Sequence, residues 1–259
     1  MSRTIRAAAV QFTIQLGDID ANVASVRSAL ARVAAQGVQL AVLPEVWSRG
    51  FEYRNLTDLA KRTPELVEEM GRLSAEHNLV LVGSLPEPAG DKVCNTAYIL
   101  DKGKLVGTYR KIHLFSLMNE DRAFTGGDRW TVVDTSIGRI GVFICYDLRF
   151  PELARRLAVE GAEILVVPGE WPKPREEHWR TLLRARAIEN QLFVVAANCC
   201  GVTGKLDFFG SSLIIGPKGE LLAEGGYEPA EPVATLDFAE MQAWREQISC
   251  FKDRKPEFY

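Results

Sequence analysis

Three residues in this 259-residue chain stand where chemistry can begin: Glu45, Lys111 and Cys145. Cys145 interrupts an apolar run, "IGVFICY", and is followed by the polar turn "DLRFPE". Glu45 closes "LAVLPE", and Lys111 lies within "YRKIHLF". In each case a strand carries or ends on one reactive polar group, and strand ends of α/β sheets are where rigid elements hold catalytic side chains. The chemistry in view is nucleophilic attack by a thiol, which needs an activating base because a free cysteine is only a few per cent thiolate at neutral pH. A Cys–His dyad would draw that base from His113 or His178, although local sequence supports neither. Each group also has a plainer reading. Cysteine is among the most buried residue types, a strand-end carboxylate caps nearby amides, and a lysine blunts an exposed sheet edge. Taken singly, these plainer readings prevail.

The elements that must position these groups alternate between strand and helix. Strands are predicted at 4–12, 38–45, 79–85, 94–100 and 104–112, then at 130–135, 139–145, 163–168, 192–198, 211–215, 220–224 and 232–237. If the strand over 104–112 runs its full length, Tyr109, Lys111 and His113 share a face, and His113 is a neighbour more than a reacting group. Val23, Val26, Leu30 and Val33 lie near helical spacing, with Gly37 as the stop. A second helix opens at Thr63 as N-cap with Pro64 at its first position. Further helices are predicted over 151–161, 175–191 and 238–248, followed by an irregular tail. Alternating elements with continuous apolar strands imply a sheet covered by helices, and the later consecutive strands imply a second sheet or antiparallel additions. No linker, repeat or low-complexity tract divides the chain, so 1–259 reads as a single domain.

Composition narrows the function. The chain is 47% hydrophobic and 25% charged with a net charge of −3, which points away from nucleic acid and anionic membranes as partners. Its apolar runs are too short for a membrane span, and the N-terminus lacks a signal-peptide pattern, so the cytoplasm is expected. Five cysteines without regular spacing and three scattered histidines argue against a disulfide framework and against a metal site. No phosphate loop or dinucleotide fingerprint is present, so no cofactor is expected.

"LPE", "RKIHLF" and "CYDLRFPE", in this order and spacing, resemble the nitrilase superfamily of carbon–nitrogen hydrolases over nearly the whole chain. The resemblance implies an α/β fold, the four-layer α-β-β-α sandwich of the nitrilase type, and a Glu-Lys-Cys triad. Matched motif to motif, that triad is Glu45, Lys111 and Cys145, with Glu120 in "SLMNEDRAF" as the second glutamate many members carry. It implies hydrolysis of a small-molecule amide through a thioester, and a homodimer. "HLFSLMNE", "EWPKPREEHW" and "RARAIENQ" look most like the ω-amidase-like branch, whose substrates are 2-oxoglutaramate and 2-oxosuccinamate. Such substrates carry a carboxylate, which suits an arginine fork from Arg149 or Arg175. The plainer alternatives are an Arg149 salt bridge with Asp147 or Glu152, and a surface position for Arg175. Trp171 and Phe115 are expected to wall the pocket or fill the core, and the Tyr146 N–H to join an oxyanion site or simply a turn. Glu170 would repel a carboxylate if it faced the pocket, and a neutral or basic amide would then be favoured. The alternatives to the ω-amidase reading are another amidase or carbamoylase of the superfamily, or a catalytically silent binding protein of the same fold.

Overall fold

Alternation along the first strands sets up the layers. In β1 (Thr4–Ala9), Ala7 and Ala9 join one core cluster and Ala8 another. After α1 (Ile19–Ala34), β2 (Leu40–Val42) repeats the split, with Leu40 and Val42 on one side and Ala41 on the other. Successive strand residues point to opposite faces, so one sheet serves two cores. This is seen in a computed structural model, which describes residues 3–258; Met1, Ser2 and Tyr259, the extremes of the expected domain, lie outside the described residues.

The first half continues through α2 (Leu56–Ala60), α3 (Thr63–Glu76), β3 (Val80–Ala89), β4 (Lys92–Asp101), β5 (Lys104–Arg110) and the short α4 (Glu120–Ala123). The second runs through β6 (Thr131–Thr135), β7 (Gly138–Val142), α5 (Pro151–Val159), β8 (Ile164–Pro168), α6 (Glu176–Asn190) and β9 (Phe193–Ala197). A hairpin of β10 (Cys200–Thr203) and β11 (Leu206–Phe209) precedes β12 (Leu213–Ile215), β13 (Leu221–Glu224), β14 (Val233–Asp237) and α7 (Phe238–Gln247).

Two six-stranded mixed sheets result, ordered β14-β1-β2-β3-β4-β5 and β13-β12-β9-β8-β7-β6. β1, β2 and β3 run parallel, as do β7, β8 and β9, with antiparallel strands flanking each trio. The sheets face each other: Val42 and Val82 share a cluster with Val142 and Val166. α1 and α3 cover the first sheet through Val26, Leu30, Leu66 and Met70, and α5 and α6 cover the second through Leu157 and Leu183. Each such side chain, fully buried, contributes about 1.5–3 kcal/mol. The four layers are those of the expected α-β-β-α sandwich.

Several boundaries differ from the sequence reading. The strands expected over 38–45, 104–112 and 139–145 end at Val42, Arg110 and Val142. One ladder bond continues past each end (Leu43 N–H to Val82, Lys111 N–H to Asn95, Phe143 N–H to Val166), and then the chain turns out of the sheet. Thr63 does not cap α3. Arg62 holds that position, and the buried Thr63 hydroxyl donates to the Pro86 carbonyl at 2.5 Å. The helix α2 and the β10–β11 hairpin were not foreseen, and the tail contains a 3-10 turn, Pro256–Phe258.

Candidate active site

Lys111 is completely buried, and an ammonium in that position must be paired. Its Nζ donates to Glu45 Oε1 at 2.7 Å and to both Glu120 oxygens at 2.8 and 2.7 Å. Asn95, one strand over on β4, donates from Nδ2 to Glu45 Oε1 at 2.7 Å and to Glu120 Oε1 at 3.3 Å. The backbone of Lys111 is pinned from both sides, its N–H on the Asn95 carbonyl and its carbonyl accepting from Gly127. A Cβ at Gly127 would sit 2.3 Å from the Arg110 carbonyl oxygen, so only glycine permits that approach. Glu120 is fixed in turn by the Phe115 N–H, which donates to its Oε2 at 2.8 Å.

Left-handed backbone recurs at these positions. Cys145 itself has φ +48°, Val46 directly after Glu45 has φ +36°, and Asn119 directly before Glu120 has φ +57°. For non-glycine residues this costs on the order of 1–3 kcal/mol each, so the surroundings must enforce it. At Val46 the Ser84 hydroxyl accepts the backbone N–H at 2.8 Å. At Cys145 the enforcing group is Asp147, whose carboxylate accepts from Tyr109 Oη, the Ile144 N–H and the His113 N–H. This holds Cys145 at the head of a 3-10 turn, Cys145–Arg149. The Glu45 carboxylate and the Glu170 N–H both lie close enough to the sulfur to act on its proton, the first holding it and the second opposing. Glu45 Oε2 has no hydrogen-bond partner among the described residues.

A cavity opens over this cluster. Lys111, Glu120, Cys145, Tyr146, Arg149, Trp171, Phe115 and Arg175 all line it, so eight of the nine sequence-predicted residues meet there, and Glu45 is bonded to the lysine beneath. Glu170 lines it too, with both of its carboxyl oxygens buried and unpartnered. Phe51 and Met118 also contribute and were not anticipated; nothing in their local sequence marks them. Arg149 makes neither expected salt bridge. Asp147 is engaged elsewhere, and Arg149 donates to His178 Nδ1 at 3.3 Å with its guanidinium 4.8 Å from the Trp171 ring. Arg175 lies 5.3 Å from the Phe115 ring, and Phe115 in turn packs against Tyr146 at 4.6 Å. His113 is no base for Cys145: its ring bonds Asp147 at 2.7 Å and stacks on Phe150 at 3.6 Å. Thr203 is tied to the Ile14 carbonyl, and Cys199 and Cys200 are buried, away from the cavity lining.

Burial governs the protonation states. It pushes Glu45 up to about 7, with Lys111 opposing and Glu120 reinforcing the shift. The Cys145 thiol is pushed well above its ordinary value by burial and then by Glu45, against the pull of Lys111. Burial alone would lower Lys111, but Glu45 and Glu120 outweigh it and hold the ammonium charged. The resting site therefore presents a neutral thiol beside a carboxylate that ionises near neutrality.

The carbon-nitrogen hydrolase family profile matches residues 6–246. The chain is a carbon-nitrogen hydrolase. This hydrolase is 37% identical to a 2-oxoglutaramate amidase from Bacillus subtilis (strain 168), over 96% of this chain and 97% of the relative. A crystal structure of a carbon-nitrogen hydrolase from Helicobacter pylori G27 superposes with a TM-score of 0.94 at 28% identity, covering 99% of this chain and 97% of that one. At a TM-score of 0.88 and 30% identity, covering 99% and 95%, it matches a glutamate-to-glutamine mutant of the amidase from Nesterenkonia sp. AN1. That structure shows covalent addition of the acetamide moiety of fluoroacetamide at the active-site cysteine. As a family member the chain is an enzyme acting on non-peptide carbon–nitrogen bonds.

Proposed function

We propose that this hydrolase is an ω-amidase, converting a 2-oxo acid amide such as 2-oxoglutaramate to the 2-oxo dicarboxylate and ammonia. The observation that carries the substrate is the pair Arg149 and Arg175. Both are half-buried in the wall of the cavity that holds Cys145, and among the described residues neither has a carboxylate within ion-pair distance. Cationic forks without an anion beside a thiol fit a substrate with an amide at one end and a carboxylate at the other. The resemblance to a 2-oxoglutaramate amidase supports the same reading.

In the mechanism Glu45 takes the thiol proton as the Cys145 sulfur attacks the amide carbon. Lys111 balances the negative charge of the tetrahedral intermediate, with the Tyr146 N–H as a further donor. Protonated Glu45 returns the proton to the departing nitrogen, the C–N bond breaks, and ammonia leaves a thioester on Cys145. Glu45 then removes a proton from water, which attacks the thioester, and the thiol is restored as the acid departs. Glu120 holds Lys111. Trp171 and Phe115 wall the cavity and Arg149 and Arg175 bind the carboxylate. No step calls for a metal or cofactor.

The test is ammonia release from 2-oxoglutaramate, 2-oxosuccinamate, glutamine, asparagine, an N-carbamoyl amino acid and a simple aliphatic amide. The 2-oxo acid amides are expected to lead by tenfold or more in kcat/KM. Turnover confined to the other amides would replace this substrate with another amidase or carbamoylase activity. The pH profile is a second check. Glu45 must be ionised to act as base, and its value is about 7, so kcat/KM should fall about tenfold per unit as pH drops below 7. Lys111 stays cationic across this window because its value is raised. A profile flat from pH 5 to 9 would remove Glu45 from the role.

Residues 1–259 are assigned as one hydrolase domain, supported by the family match and by a core shared between the two sheets. The family resemblance supports a homodimer, to be checked by light scattering. Five free cysteines support a reducing, cytoplasmic setting. No helix among the described residues is long and apolar enough to cross a membrane. The partner is assigned as a small-molecule amide, with no nucleic acid or membrane.

A further inference from the structure

A carboxyl group in the cavity has no task in the mechanism above. Glu170 follows β8 directly and is 1% exposed. Its backbone N–H lies close enough to Cys145 to pull the thiol's proton affinity down, and both residues line the same cavity. Neither of its carboxyl oxygens has a hydrogen-bond partner, although both are buried and the residue lines the cavity. Gly50 closes one side: a Cβ there would stand 3.4 Å from Glu170 Oε1. A buried polar group without a partner is expensive, and one aimed into a binding cavity is poised for a ligand.

We propose that Glu170 determines specificity by reading the 2-oxo group: as the neutral acid it donates its O–H to that oxygen and so selects 2-oxo acid amides over their 2-amino counterparts. This rests on the ω-amidase reading. Lys111 directs its Nζ bonds to Glu45 and Glu120, so Glu170 supplies a donor that is otherwise uncommitted beside the nucleophile. A ketone oxygen only accepts, which matches an O–H. The 2-ammonium of glutamine only donates, and would require Glu170 as the buried anion.

The groups that face Glu170 decide its state. Burial is foremost in favouring the acid form. Glu45 adds to it, Lys111 and Arg49 oppose, and Glu120 again favours the acid, leaving the carboxyl well above its ordinary value. Cys145, Cys199 and Tyr53 complete the surroundings and are themselves held neutral by burial. Arg49 is buried with Nε, Nη1 and Nη2 all unpartnered, so the competing reading is a solvent-bridged Arg49–Glu170 ion pair of purely structural value.

The experiment measures KM and kcat for 2-oxoglutaramate and for glutaramate, the same amide acid without the oxo group, between pH 6 and 9. Glu170→Ala should raise KM for 2-oxoglutaramate about tenfold, the scale of one hydrogen bond, and leave glutaramate within twofold. Glu170→Gln, which still donates an N–H but cannot ionise, should recover KM to within about threefold of wild type. Its KM should stay flat with pH, whereas any change in the wild-type KM should be a rise toward alkaline pH, where loss of the Glu170 proton would remove the donor. An equal KM rise for both acids in Glu170→Ala, or a Gln variant no better than Ala, would overturn the inference while leaving the ω-amidase reading intact. A wild-type enzyme inactive on both acids would overturn the two together.

Discussion

Cys145→Ala is expected to abolish ammonia release, by at least about 10⁴-fold, while the protein stays folded. The two halves of that expectation have separate physical grounds. Alanine carries the same Cβ as cysteine, so it meets the same strain at φ +48° and no more. The Asp147 bonds that enforce the turn come from Tyr109, Ile144 and His113, none of which involves the sulfur. Removing the sulfur leaves a small void under the cavity, at modest cost. What is lost is the nucleophile, and with it the thioester route. Cys145→Ser should fare poorly as well: a hydroxyl holds its proton far more tightly than a thiol, and a carboxylate of about 7 is too weak a base to take it. Mass spectrometry of quenched wild-type turnover should find an acyl adduct on Cys145 and none on Cys250, the one cysteine that is not buried. Near-native turnover by the alanine variant would sink the covalent mechanism.

The three residues singled out first could be picked out because each stands next to a strand, a local signal, but it was the motif resemblance that made them a triad. The strands were nevertheless drawn too long at these places. Continuous apolar character runs on through Leu43 and through Phe143 and Ile144, which are buried, but a single ladder bond is all that follows each strand before the backbone turns out toward the left-handed Val46 and Cys145. Nothing in the sequence announces φ +36° at a valine, since a β-branched residue disfavours it; the Ser84 hydroxyl, 38 residues away, and the Arg49 and Gly50 N–H groups that donate to the Val46 carbonyl hold it there. Asn95 and Asp147 were missed for the same reason. Their meaning lies in what they bond across the fold, Asn95 bracing both glutamates and Asp147 organising the cysteine turn. Glu120 came from resemblance, not from pattern, and its burial in a four-residue helix is unlike the solvated loop its local sequence suggests. The sandwich was legible because alternation in β1 and β2 is legible. How the sheets face each other, and hence which loops meet over the cavity, is a long-range matter that periodicity does not carry.

Lys111→Met should reduce kcat by about 10³-fold or more and move the acid limb of the pH profile upward. One part of the loss is the charge facing the oxyanion, whose removal typically costs about 10²–10³ in rate. The other part acts through Glu45. Lys111 opposes the burial that drives Glu45 up to about 7, so without the ammonium Glu45 rises further. At neutral pH the base is then mostly protonated, and part of the activity returns as pH is raised. A residue with only a packing role would not move that limb. Methionine roughly keeps the volume of the buried stem, so thermal unfolding separates stability from chemistry. Leaving one partner of a buried pair alone costs about 3–5 kcal/mol when it stays charged, and protonation of Glu45 relieves part of it, so the melting temperature should drop less at pH 6 than at pH 8. Lys111→Arg should not restore function, because a planar fork cannot replace three converging bonds to Glu45 Oε1 and the two oxygens of Glu120. A methionine variant within tenfold of wild type, with its profile unmoved, would mean that the charge of Lys111 serves the fold and not the reaction.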